Sequence, residues 1–178
     1  MIRMNMRNTL IVLIIIAIAC VMTSCLDNVK SDYTPQIYLS ELYLNPYYVG
    51  DTLHAQDTLQ LKYNKTAETY VSDTMQVGDT LMVGAIFYAE GNNLVSTRVE
   101  WDSTAMKGWF YVNETIMKVL SDTTTIGEGY LQFNPGYNMV SYPTYFVPRS
   151  AGSHAVKMTV ETDSKYSPVS ISFSLIAR

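Results

Sequence analysis

The chain has two textures. Residues 10–22 (LIVLIIIAIACVM) form an unbroken apolar run of 13, with Arg3 and Arg7 ahead of it and polar residues directly after it. A helix that crosses the ~30 Å hydrocarbon layer needs about 20 apolar residues, so this run is short for a span. A charged start, a short apolar centre and small residues before a cut describe a secretory signal. From Ile37 onward the hydrophobic period becomes two. Strands are expected over residues 37–44, 58–63, 80–89, 96–101, 108–113, 116–120, 130–133 and 142–147. The runs 155–161 and 170–176 alternate most cleanly. Val156, Met158 and Val160 point one way, with Lys157, Thr159 and Glu161 the other. Ile171, Phe173 and Leu175 alternate with serines. One apolar and one polar face per strand is the pattern of an antiparallel sheet covered on one side. No stretch after Cys25 holds helical spacing for three turns. Short strands punctuated by Gly, Asn, Asp and Pro predict an all-β sandwich. Residues 37–178 form that domain, and the polar segment 25–36, with Pro35 near its end, reads as a flexible tether.

The end of the apolar run carries a sharper signal. Met22-Thr23-Ser24-Cys25 resembles the bacterial lipobox, an apolar residue and two small ones before a cysteine. The resemblance implies that Cys25 is lipidated, that residues 1–24 are removed, and that fatty-acyl groups such as palmitate hold the protein to the membrane. Each buried methylene of such a chain contributes about 0.8 kcal/mol, and stable anchoring takes more than one chain. Cys20 is the weaker candidate, because apolar Val21 and Met22 follow it.

A short repeat lies further on. Val49-Gly50-Asp51-Thr52-Leu53 recurs as Val77-Gly78-Asp79-Thr80-Leu81. Gly permits a turn, Asp bonds to the backbone that follows, and Thr-Leu opens a strand. The second copy, the run to Ala89, Arg98-Val99-Glu100-Trp101 and the terminal hairpin from Ala151 together resemble bacterial immunoglobulin-like domains. Residues 75–178 carry this likeness, which implies an immunoglobulin-like antiparallel sandwich with extra N-terminal strands. With no cysteine after Cys25, the likeness is to the Cys-free branch. The chain as a whole resembles small lipoproteins of gut Bacteroidetes, implying an outer-membrane location on either the periplasmic or the surface face.

Charge narrows the partners. Without residues 1–24, 10 basic residues face 16 acidic ones, a formal charge of −6. Such a surface repels nucleic acid, and no basic run follows Arg7. A secreted domain without disulfides must be held by its core.

The search for chemistry is thin. His54 and His154 are far apart in turn or strand-lead contexts and read as solvated. No clustered ligand set, nucleophile elbow or phosphate loop appears. Glu100 and Asp102 flank Trp101 as two solvated charges at a strand end. No catalytic residue, cofactor or metal is expected, and a non-enzyme is the reading. Tyrosine is abundant, at 14. Its flat ring and hydrogen-bonding tip suit contact surfaces, so Trp109, Tyr137, Tyr142 and Tyr145 are the candidate ligand contacts. The alternative is that these rings cover sheet surface. The triplet Asp-Thr/Ser-apolar or Thr recurs at Asp51, Asp57, Asp73, Asp79, Asp102 and Asp122. It resembles the O-glycosylation acceptor of Bacteroidetes, with Ser103 and Thr123 the best placed, although Asp-Thr also simply opens strands. The expected protein is a membrane-anchored envelope component that binds or builds, with a glycan or a protein as ligand. A glycan-binding accessory of polysaccharide uptake and a fimbrial-type subunit are the alternatives.

Overall fold

The computed structural model describes residues 33–66, 68–121 and 129–178. These lie in the second of the two units into which the chain divides, Ser31–Arg178, the first being Met1–Lys30. Cys25, the signal segment and Thr123 fall outside the described residues.

Two sheets form the body. The first runs in the order β4 (Asp57–Leu59), β1 (Gln36–Leu44), β7 (Leu81–Tyr88), β11 (Met139–Pro148), β9 (Met106–Phe110). The second runs β10 (Tyr130–Gln132), β8 (Leu94–Trp101), β12 (Gly152–Thr162), β13 (Val169–Ala177), β6 (Thr69–Met75), β5 (Leu61–Asn64). A small hairpin, β2 (Tyr47–Val49) with β3 (Thr52–His54), pairs with neither sheet. Among the described residues every strand pairing is antiparallel except β13 with β6. The order β1-β7-β11-β9 over β8-β12-β13 is that of a constant-type immunoglobulin domain. The chain is therefore an immunoglobulin-like β-sandwich, with β2 to β5 as the extra N-terminal strands.

The core lies where the alternation placed it. Leu81, Val83, Ala85 and Phe87 of β7 face Val156, Met158 and Val160 of β12 and Phe173 and Leu175 of β13, all essentially inaccessible. Burying a side chain of this size contributes about 1.5–3 kcal/mol. Trp101 closes one end of the core, edge-on to Phe146 (5.9 Å, 77°) and Phe110 (6.4 Å, 88°). The two copies of the repeat both turn at glycine in the left-handed region, Gly50 at φ 61° and Gly78 at φ 92°. The first copy closes the exposed β2–β3 hairpin and the second launches the buried strand β7. Asn45 ties the two regions together. Its Nδ2 donates to Gln56 Oε1 (2.8 Å) and Asp79 Oδ1 (3.0 Å), and its Oδ1 accepts from the Thr80 N–H (2.8 Å).

Three expectations are corrected. Residues 116–120 are not a strand. Glu114–Met117 is one helical turn, α1, capped by Asn113 Oδ1, which accepts the Ile116 N–H at 2.9 Å. Residues 58–63 are not one strand but two, β4 and β5, in different sheets. The Gln60 N–H donates to Asp73 Oδ2 (3.2 Å) and its carbonyl accepts from the Asp73 N–H (3.0 Å), which pulls the chain over to the second sheet. The last part of the expected tether is attached to the body. Pro35 is buried, and Ser164 Oγ donates to the Tyr33 carbonyl at 3.2 Å.

Candidate functional site

The two sheets differ on their outer sides. The second is polar there. Lys157 Nζ lies 3.6 Å from Glu100, the Arg98 guanidinium sits 5.1 Å above the Tyr130 ring, and Thr159 and Ser170 share a 2.9 Å hydrogen bond. The first sheet is aromatic. Its registers place Tyr43, Met82, Tyr145 and Trp109 in one row and Tyr38, Ile86 and Ser141 in another, opposite the core positions. Tyr111 (57%) and Met139 (58%) are well exposed on this face. Contiguous apolar faces of this kind mark interaction surfaces.

Trp109 and Tyr145 are neighbours here, as members of one cross-strand stack, with ring centroids 5.3 Å apart and planes 8° from parallel. The Lys107 ammonium lies 5.0 Å from the centre of the Trp109 ring. The indole thus has an aromatic and a cationic neighbour and stays partly exposed. Burial first, and then the charge and hydrogen bond of the neighbouring Tyr48 hydroxyl, push the Tyr145 hydroxyl up to about 12. That contact brings the β2–β3 hairpin onto this face.

Tyr145 and buried Tyr142 are both held protonated by the fold, Tyr142 by desolvation, opposed by its bond to Thr97. A raised folded-state pKa contributes stability that is complete below the unfolded tyrosine value of about 10 and is lost as pH rises toward the folded one. Thermal unfolding should therefore move to lower temperature between about pH 10 and pH 12. Phenolate absorbance should show a fraction of tyrosine that ionises only as the protein unfolds. A Tyr145→Phe variant with an unchanged alkaline slope would exclude Tyr145 as a source.

The other candidates disperse. Tyr142 is corrected from ligand contact to core residue, because it is 1% exposed. It stacks on Phe87 (5.2 Å, 23°), and its hydroxyl is 2.7 Å from Thr97 Oγ1. Tyr137 lies in the turn between β10 and β11, its carbonyl accepting the Leu94 N–H at 2.7 Å. Eight positions of extended chain put it about 25 Å from Tyr145. Tyr38, Tyr48, Tyr111 and Met139 were missed. Their signal was position, since they alternate with core residues or sit on the hairpin laid against the sheet.

The acidic triplets have local structural work. Asp57 Oδ1 accepts from the Thr58 N–H, Asp79 Oδ2 from the Gln76 N–H, and Asp102 Oδ1 from both the N–H and the hydroxyl of Thr104. The Thr104 hydrogen bonds hold the Asp102 carboxyl below the usual range, as the Lys62 ammonium at 2.6 Å chiefly does for Asp73. Ser103 is exposed in the turn after β8, and its carbonyl accepts from Arg149 at 3.2 Å. His154 is corrected from solvated to buried, with Nε2 2.8 Å from the Ser150 carbonyl, while exposed His54 stacks on Tyr47 at 5.4 Å.

Two of the clefts on the body bear on the site. One, about 750 Å³, is lined by Glu100, Trp101, Asp102, Ala105, His154 and Lys157. Its titratable groups are engaged as described, and no three His, Cys, Asp or Glu side chains gather as a metal site among the described residues. The other, about 790 Å³, lies between the sheets at the side where β4 and β5 part. Its walls are Ile37, Leu39, Leu59, Leu61, Ile171 and Phe173.

No family model matches this chain, and no curated protein does. Solved structures match it at low identity and with TM-scores below 0.5. A family 123 glycoside hydrolase from Clostridium perfringens is 11% identical with a TM-score of 0.43, over 82% of this chain and 27% of the hydrolase. A DUF4466 family protein from Parabacteroides merdae is 11% identical at 0.41, over 82% and 44%. The PapD-like domain of human CEP192 is 13% identical at 0.34, over 75% and 98%. The chain spans about a quarter of the hydrolase.

Proposed function

We propose that this protein is a lipid-anchored, non-catalytic binding or structural component of the bacterial outer membrane, tethered through Cys25. The observation that supports binding is the difference between the two outer sheet faces: one polar and internally paired, the other aromatic, with Tyr38, Tyr111 and Met139 largely exposed. Tyrosine gives contact area at low entropic cost, so this face is where a glycan or protein partner docks.

Two measurements test the reading. Metabolic labelling with a palmitate analogue should mark the wild type and the Cys20→Ala variant, and should leave Cys25→Ala unmarked and released from membranes. An unmarked wild type removes the anchor. A photo-cross-linking residue at Tyr111 should trap a partner in cells, and the same residue at Thr159 on the polar sheet should not. Equal yields at the two positions would remove the aromatic face from the reading.

A further inference from the structure

The cleft at the parting of β4 and β5 is an unfinished edge of the sandwich. β4 pairs with β1 only at Leu42, Tyr43 and Leu44. The chain then leaves for the second sheet at Gln60, whose backbone is bound to Asp73. Residues 36–39 of β1 pair with β7 on one side and, among the described residues, with no strand on the other. β13 is similar: its pairing with β6 begins only at Phe173, so residues 169–172 run past the start of β6. The core is correspondingly incomplete here. Ile37, Leu39, Leu61 and Ile171 are four of the nine partly covered hydrophobic residues that border it, and all four line this cleft. The lining, completed by Tyr38, Ser40, Thr58, Gln60, Tyr70 and Ser172, carries no formal charge, in a chain where 16% of residues do.

We propose that this cleft accepts an extended segment of a partner polypeptide, which adds to β1 as the continuation of β4. The register extends from Leu59 opposite Leu42 toward Ile37 and Gln36. Strand addition draws affinity from main-chain hydrogen bonds and specificity from pockets for alternate side chains. The segment that fits is four to six residues long by the length of the open edge (about 3.3 Å per residue). It is aliphatic at alternate positions and uncharged, matching the neutral lining. A hydrocarbon chain would fill the apolar walls but leave the edge amides of β1 without partners, which buried backbone groups rarely tolerate. The proposal rests on the binding reading above, not on the lipid, and holds whether or not Cys25 is acylated.

The test uses the full chain in detergent micelles and a blocked seven-residue peptide of alternating valine and threonine. Binding should slow amide hydrogen exchange at least tenfold within residues 36–39, and Leu39→Asp should weaken it at least tenfold. The same peptide N-methylated along one edge should not bind, a control that needs no protein variant. Equal binding of the N-methylated peptide, protection confined to other strands, or displacement by dodecanoate at matched concentration would each overturn the proposal. So would a peptide-free dimer in light scattering with residues 36–39 already protected, which would assign the edge to a second copy. Loss of palmitate labelling alone would remove the anchor and leave this result standing.

Discussion

Replacing Tyr142 with alanine should cost about 3–5 kcal/mol of stability, the range for removing a large aromatic from a core. The ring stacks on Phe87 at 5.2 Å and meets Phe110 edge-on at 5.3 Å and 78°, so no nearby side chain is free to collapse into the space. The hydroxyl can be tested separately. Tyr142→Phe leaves Thr97 Oγ1, 2.7 Å away and fully buried, without its partner. A buried polar group left unsatisfied costs about 1–3 kcal/mol, whereas removing both partners can be nearly neutral. Thr97→Val with Tyr142→Phe should therefore cost less than the sum of the two single changes, with a coupling of about 1 kcal/mol in urea unfolding. Strict additivity would mean that the two hydroxyls do not act as a pair. Had Tyr142 been a ligand contact, Tyr142→Ala would alter binding with little loss of stability.

The second large effect is expected at Gly129. Its φ of +75° lies in the left-handed region, and a Cβ there would sit 2.2 Å from the Val99 carbonyl oxygen and 3.1 Å from the Trp101 ring. Val99 cannot easily retreat, because its own N–H donates to the Gly129 carbonyl at 2.8 Å. Gly129→Ala should thus carry left-handed strain of about 1–2 kcal/mol plus an overpacking cost of about 1–3 kcal/mol. Gly136 supplies the comparison. Its φ is +101°, but a Cβ would meet nothing within 4 Å. Gly136→Ala should therefore show the strain without the clash. Equal losses in midpoint denaturant for the two variants would show that crowding against β8 contributes nothing.

How much was legible depended on whether a strand's two faces differ in polarity. In β12 and β13 they do, and both strands lie where the alternation put them. In β11 they do not. Val140, Tyr142, Thr144 and Phe146 face the core, yet the opposite phase holds Pro143, Tyr145 and Val147. Either phase could have been the inner one, so Tyr142 and Tyr145 looked alike. A shift of one residue exchanges the faces, and only the ladder to β7 and β9 decides it. β6 was missed for a related reason. Its buried positions include Ser72, whose Oγ accepts the Ile176 N–H at 3.1 Å beside the bulge in β13. A polar residue turned inward to satisfy a distant backbone group leaves no hydrophobic period. α1 did leave a signal. Asn113 is a good helix cap, and Ile116 and Leu120 stand one helical turn apart, both buried.

The primary structure alone determined that the body would be an antiparallel sandwich. Period-two alternation of apolar and polar residues is a local property, and burying one face of each such strand requires a second sheet opposite it. The tertiary structure alone decided which aromatic face is left outward and where the sandwich stays open. The first depends on strand register. The second depends on Gln60 bonding to Asp73 across thirteen positions rather than to its neighbour β1. Both are set by pairings between residues far apart in the chain, which the order of residues does not display.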